Sequence, residues 1–191
     1  MRKLILWMHQ SADGYFEGPK GAWDFDWPTV TPVMQREFHA EARNAGAFLY
    51  GRRVYEGMCG YWPTADVEPT TPEAADYARV WKPMPKIVFS RTLEAADWNT
   101  RIVRENIAEE VAALKQQPGG DLILYGGGEI AAEFDRLGLI DEYVIFVHPI
   151  LLGGGRPLFA TQDLRRPLRL IESRVFDPGV IMQRYAHANE A

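Results

Sequence analysis

The chain has 191 residues, 47% hydrophobic and 12% aromatic, which fits one domain, or at most two small ones, with a sizeable core. A net charge of -5 argues against a nucleic-acid surface, and the single cysteine, Cys59, excludes an internal disulfide framework and fits a reducing cytoplasm. No apolar run approaches the length of a membrane span, and the apolar stretch after Met1 is too short for a signal peptide.

Residues 3–9 read as a first strand, buried on both faces. A loop rich in turn residues follows, with Asp13-Gly14 and Gly18-Pro19. Trp23-Asp24-Phe25-Asp26-Trp27-Pro28 continues it, and large rings alternating with acids are odd in a plain connector. Thr31 caps a helix with Pro32 at its first position. Met34, Phe38, Ala42 and Ala45 give that helix an apolar stripe, and Gly46 ends it. Residues 47–50 form a second strand, followed by Gly51-Arg52-Arg53-Val54-Tyr55-Glu56. Gly57 and Gly60 punctuate the next stretch, and residues 64–72 read as a polar surface loop. Thr70 with Glu73 resembles a capping box for a short helix through Val80. Residues 86–90 form a third strand, with Arg91-Thr92 directly after it. Residues 101–104 fit a short strand, and Asn106 with Glu109 a second capping box. Ile107, Val111 and Leu114 form the inner face of the helix it opens.

The chain is organised around residues 121–130, Asp-Leu-Ile-Leu-Tyr-Gly-Gly-Gly-Glu-Ile. A short apolar strand runs into three glycines, and Ile130, Phe134 and Leu137 then recur at helical spacing until Gly138. Glycines let the backbone approach an anion, and a helix N-terminus offers free N–H groups and positive dipole. The stretch lacks the full G-x-G-x-x-G fingerprint and has no following Gly-Lys-Ser/Thr. Two readings stand: an anion site, or a tight strand-to-helix turn with no ligand. Glu129 suits the dipole but repels a phosphate unless it points away.

Residues 142–150 form a long apolar strand, followed by a second glycine-rich loop from Leu151 to Phe159. Residues 169–176 and 180–185 flank Asp177-Pro178-Gly179 as a hairpin. Strands alternate with helices first and strands alone come last, which predicts an α/β fold with a mainly parallel central sheet and antiparallel C-terminal strands. No internal repeat or linker divides the chain, so residues 1–191 are expected to form a single domain. The histidines, His9, His39, His148 and His187, show no metal spacing, and no metal site is expected. His148 reads as a core or edge histidine of its strand.

Several stretches line up in order: Ser11-Ala12-Asp13-Gly14, the Gly51–Glu56 turn, Lys86-Ile87-Val88-Phe89-Ser90-Arg91-Thr92, Tyr125 to Ile130, and the loop from Val147 to Phe159. This order resembles the dihydrofolate reductase-like superfamily, and most closely its branch containing the C-terminal reductase domain of the riboflavin biosynthesis deaminase/reductase. The resemblance covers residues 3–185 and implies a three-layer dihydrofolate reductase-like fold.

It also implies an NADPH-dependent oxidoreductase, passing hydride from nicotinamide to a C=N or C=O carbon of a small cyclic or planar substrate. By that resemblance, Gly51, Arg52, Arg53, Ser90, Arg91 and Thr92 hold the adenine ribose and its 2′-phosphate. Tyr125, Gly126, Gly127, Gly128, Glu129 and Ile130 take the pyrophosphate. The loop from Ser11 to Gly18 closes over the nicotinamide. Trp23, Phe25 and Trp27 are the expected substrate walls, and Asp13, Asp24 and Asp26 the expected catalytic acids, with Glu37 a further carboxylate near the first helix. The sequence has no deaminase region and no basic cluster beyond these arginines for a substrate phosphate. A homodimer in the cytoplasm is expected, with no nucleic-acid or membrane partner. A nucleotide-binding module without turnover is the alternative reading. An ordinary NAD-linked dehydrogenase is disfavoured by the missing acid about 20 residues beyond a G-x-G-x-x-G.

Overall fold

The structure, a computed structural model, describes residues 1–21, 23–159 and 165–188. Its elements are β1 (Leu4–Ser11), β2 (Tyr15–Glu17), α1 (Pro32–Asn44), β3 (Ala47–Gly51), α2 (Arg52–Tyr61), α3 (Pro72–Trp81), β4 (Lys86–Phe89) and β5 (Thr100–Val103). They continue with α4 (Ile107–Gln116), β6 (Leu122–Leu124), α5 (Gly128–Arg136), β7 (Glu142–His148), β8 (Arg156–Pro157), β9 (Leu168–Phe176) and β10 (Val180–His187).

The large sheet runs β5-β4-β3-β6-β1-β7-β10-β9. Pairing is parallel from β5 to β7 and antiparallel from β7 through β10 to β9. The mainly parallel sheet with antiparallel C-terminal strands is therefore present as the sequence pattern indicates. Two buried faces explain the unbroken apolar runs, because a central parallel strand meets helices on both sides. Leu4, Leu6, Met8, Leu49, Leu122 and Leu124 pack with Val111 and Leu114 of α4 and Ala131 and Phe134 of α5. On the opposite face Ile5, Trp7, Phe48, Tyr50 and Ile123 pack with Met34 and Ala42 of α1, Tyr55 of α2, and Tyr77 and Trp81 of α3.

Local chemistry sets several boundaries. Thr31 caps α1, its Oγ1 accepting from the Met34 N–H at 3.4 Å, with Pro32 in the first turn. The cap of α3 is Thr71 and not Thr70: its Oγ1 accepts from Ala74 N–H at 3.1 Å, while the Thr70 hydroxyl pairs with Tyr61. Asn106 precedes α4 but sits in the left-handed region at φ 55° with no side-chain cap, so the capping box with Glu109 is not formed. Helix α2 runs through Gly57 and Gly60, which read in sequence as breaks. Burial of Tyr55 against the sheet outweighs the helix cost of those glycines. The short ribbon of β2 and β8 has no sequence signal, and its register puts Glu17 opposite Arg156.

Candidate active site

The loops that follow β1, β3 and β6 meet at one edge of the sheet, at the carboxyl ends of neighbouring parallel strands. In an open α/β sheet that is where ligands bind. Two adjoining cavities lie there. One, of about 290 Å³, is a cleft with charged walls: Gly51, Arg52, Arg53, Gly127, Gly128, Glu129 and Arg156 are among its residues. The other, of about 450 Å³, is lined by Trp7, Phe38, Met58, Trp62, Tyr77 and Tyr125 with other uncharged side chains. Phe16, Trp23, Phe25, Val54 and Gly127 border both cavities.

The floor of the cleft is the glycine turn. Gly126 has φ +65°, and a Cβ there would collide with the Met8 sulfur, so only glycine fits. Gly127 differs: a Cβ would meet only Val54, at 3.5 Å, and the residue borders both cavities. Gly127 caps α5 without a side chain, leaving the first-turn N–H groups of the helix without intrahelical acceptors. These N–H groups and the dipole behind them favour an anion.

Cations flank this turn. Arg52 donates from Nη1 to Thr92 Oγ1 at 2.8 Å and from Nε to Glu56 at 2.8 Å, which ties the turn after β3 to the turn after β4. Arg53 makes no hydrogen bond or ion pair among the described residues and lines the cleft. Arg156 reaches in from β8, pairing with Glu129 at 2.6 Å and Glu17 at 3.3 Å. The Glu129 side chain is 85% exposed and engaged by Arg156, so its charge is partly compensated at the helix start. Arg156 and Glu17 were not among the sequence candidates. Arg156 does lie in the second glycine-rich loop, directly after Gly153-Gly154-Gly155, and a cation beside consecutive glycines is the signal the sequence offers for it.

The remaining sequence candidates lie at varied distances from the cavities. Ser90 and Arg91 line a separate groove behind Ile130 and Glu133. The Ser90 hydroxyl accepts from the N–H groups of Thr92 and Leu93, closing its own turn. Tyr125 faces the aromatic cavity and not the charged cleft, because β6 alternates its side chains and Tyr125 stacks on Tyr50. Trp23 and Phe25 border both cavities, but Trp27 borders neither: its ring packs edge-on to His148 and its N–H donates to Asp24 O.

None of the three aspartates lines either cavity. Asp13 accepts from Ser11 Oγ at 2.6 Å and from the N–H groups of Leu152 and Gly153, clasping the loop after β1 to the second glycine loop. The Ser11 hydroxyl bond is the main cause holding its carboxyl below the usual range. Asp24 lies against Gly18 and accepts from Lys20 N–H at 3.0 Å. Asp26 is 74% exposed and pairs with Lys20 at 3.3 Å, which lowers its pKa. Glu37 pairs with Arg174 at 3.0 Å, away from both cavities. Loop clasps and surface ion pairs account for these contacts, since each carboxylate meets a backbone N–H or a cation of the surface.

The aromatic cavity holds polar residues that sequence reasoning left unassigned. His9, Gln35 and His39 line it, with no Asp, Glu, Lys or Arg on its walls among the described residues. His9 follows Trp7 on the same face of β1, as alternation requires, and its Nδ1 lies 2.8 Å from His148 Nε2 on β7. A histidine closing an apolar strand was the available signal, but its partner lies 139 residues away.

The family described as RibD C-terminal domain matches residues 2–182. The chain is 35% identical over 183 residues to the uncharacterized protein YyaP of Bacillus subtilis (strain 168), covering 94% of this chain and 92% of that protein. Among solved structures it is similar to a protein assigned to riboflavin biosynthesis from Shewanella sp. PV-4, with TM-score 0.75 and 23% identity over 97% of this chain and 98% of that one. The dihydrofolate reductase of Enterococcus faecalis, solved with NADP(H), shares the fold with TM-score 0.65 and 14% identity, over 98% and 97% of the two chains. The chain therefore belongs to the RibD C-terminal domain family and shares the fold of dihydrofolate reductase.

Proposed function

We propose that this protein is an NADPH-dependent reductase of a small, flat, uncharged substrate. The observation that carries the reading is the junction of two unlike cavities at Gly127. One side offers helix N–H groups, Arg52, Arg53 and Arg156; the other offers aromatic walls without a charged side chain. A dinucleotide phosphate needs the first, and an apolar ring that accepts hydride needs the second.

The residues present fit the cofactor. The helix start at Gly128 and the open position at Gly127 suit a pyrophosphate, and Arg52 with Thr92 suits a ribose phosphate. When bound, the reduced nicotinamide supplies a hydride. The chain supplies apolar walls: Phe16, Trp23 and Phe25 stand where the two cavities meet, placed to shield a bound ring from water. Among the described residues no carboxyl lines the aromatic cavity, so this reading takes the accompanying proton from water. The absence of Lys and Arg there also argues against a phosphorylated substrate of the riboflavin pathway.

We propose further that the protein works in the cytoplasm as a homodimer. The edge strand β9 exposes Leu168, Leu170, Ile171 and Val175, an apolar stretch that a second copy can cover. Light scattering of the purified chain tests the dimer.

The test of the main reading is a titration of tryptophan fluorescence with NADPH and NADH. Tighter binding of NADPH is expected. Equal affinities, or no binding of either, overturns the cofactor assignment.

A further inference from the structure

The hydrogen bonds around His9 define one proton arrangement. Thr29 N–H lies 3.2 Å from His148 Nδ1 and can only donate, so Nδ1 of His148 accepts. Neutral His148 then carries its proton on Nε2. That atom lies 2.8 Å from His9 Nδ1, which must accept. Neutral His9 therefore carries its proton on Nε2. This atom has no protein partner among the described residues, and it is not one of the sealed side-chain atoms lacking a partner. It is open to the aromatic cavity that the ring lines.

The ring is fixed as well as its proton. His9 stacks on Phe146 at 4.9 Å between centroids and meets Phe38 edge-on at 5.5 Å. Burial pushes both imidazoles down, His9 to about 3 with the neighbouring His148 adding to the effect, and His148 to about 4. Both rings are thus neutral at physiological pH. An open donor in a largely apolar pocket selects a ligand that carries an acceptor for it.

Resting on the reductase reading of this site, we infer that His9, locked as the Nε2–H tautomer by the Thr29–His148 relay, is the hydrogen-bond donor that selects the substrate. The class it selects is a neutral, planar heterocycle carrying a carbonyl or ring-nitrogen acceptor. Rejection of plain hydrocarbon rings follows, because they leave the His9 N–H unpaired. His9 also differs from a mobile acid: a fixed neutral donor needs no reorganisation when negative charge grows on the acceptor atom.

The test has an arm that needs no cofactor and no turnover. In nitrogen-15 histidine NMR at pH 7, His9 and His148 should both show the neutral Nε2–H pattern. An Nδ1–H or cationic His9 overturns the proposal. The second arm titrates NADPH-saturated protein with quinazolin-4(3H)-one and with naphthalene. Quinazolin-4(3H)-one should bind at least fivefold more tightly and shift the His9 Nε2 signal. His9→Phe should remove that preference, and His9→Gln, which keeps a donor, should retain part of it. Equal affinity for the two rings, no binding of quinazolin-4(3H)-one, or an unchanged preference in His9→Phe sinks the assignment. Failure of NADPH itself to bind removes the reductase reading instead, and the tautomer measurement on the unmutated protein still decides the histidine arrangement.

Discussion

Arg156 Nη2 and Glu129 Oε1 face each other at 2.6 Å at the wall of the charged cleft, joining the β8 ribbon to the first turn of α5. The same guanidinium also meets Glu17, so one cation is shared by two acids where a phosphate is expected. An exposed pair of this kind contributes only about 0–1 kcal/mol and yields to a competing anion.

That arrangement predicts opposite effects from the two partners. Arg156→Ala should weaken NADPH binding by about 1.5–3 kcal/mol, the scale of a hydrogen bond to a charged group. Glu129→Gln should tighten it by up to about 1 kcal/mol, since it removes a competitor worth no more than an exposed ion pair. Calorimetric titration of both variants checks the signs. Weakening by Glu129→Gln would show that Arg156 does not reach the ligand.

Cofactor discrimination should reside in the turns after β3 and β4. Arg52→Ala should cost NADPH about 1.5–3 kcal/mol and cost NADH less, while Arg91→Ala, in its separate groove, should cost NADPH less than Arg52→Ala. Fluorescence titration with both cofactors measures the difference. An equal loss for both cofactors in Arg52→Ala would place Arg52 at the pyrophosphate, and no loss for either would place it outside the site.

The neighbouring glycines should separate binding from folding. A Cβ at Gly127 meets only Val54, at 3.5 Å, so Gly127→Val should fold and lose NADPH binding. Gly126→Ala meets Met8 and a left-handed backbone, so it should lower the melting temperature by several degrees. Circular dichroism melts alongside titration tell the two apart. Normal NADPH affinity in Gly127→Val would make the turn a mere connector.

Stability should fall with acid through the buried histidine pair. Both folded pKa values lie below the ordinary 6.5, at about 3 for His9 and about 4 for His148. Below pH 6.5 the unfolded chain therefore binds protons that the folded chain does not, and stability drops as pH falls toward 4. Each histidine can contribute up to about 1.4 kcal/mol per pH unit in that window. Denaturant melts from pH 7 to pH 4.5 should show a shallower decline in His9→Phe than in the unmutated chain. Parallel declines would show that carboxylates alone carry the acid sensitivity.

The order of strands and helices, the cap at Thr31 and the glycine turn at residues 126–128 are all legible in the sequence. Each is written in contiguous residues: a run of apolar side chains, a hydroxyl before a proline, or glycines where a strand meets a helix. Helix α2 was hidden because Gly57 and Gly60 oppose it locally, while the burial of Tyr55 that favours it is tertiary. The alternating rings and acids at 23–27 mark a special loop, but not which members face inward. In the fold Asp24 and Asp26 serve the loop through Lys20, Trp27 packs on His148, and only Trp23 and Phe25 border the cavities. Arg156 and Glu17, and likewise His9 and His148, are each 139 residues apart in the chain. Pairing in the β2–β8 ribbon and parallel registry of β1 with β7 bring them together. Sequence periodicity determines which faces are buried, because burial follows the local backbone repeat. The proton carried by one imidazole, and the acids that share one guanidinium, are decided only when distant strands meet.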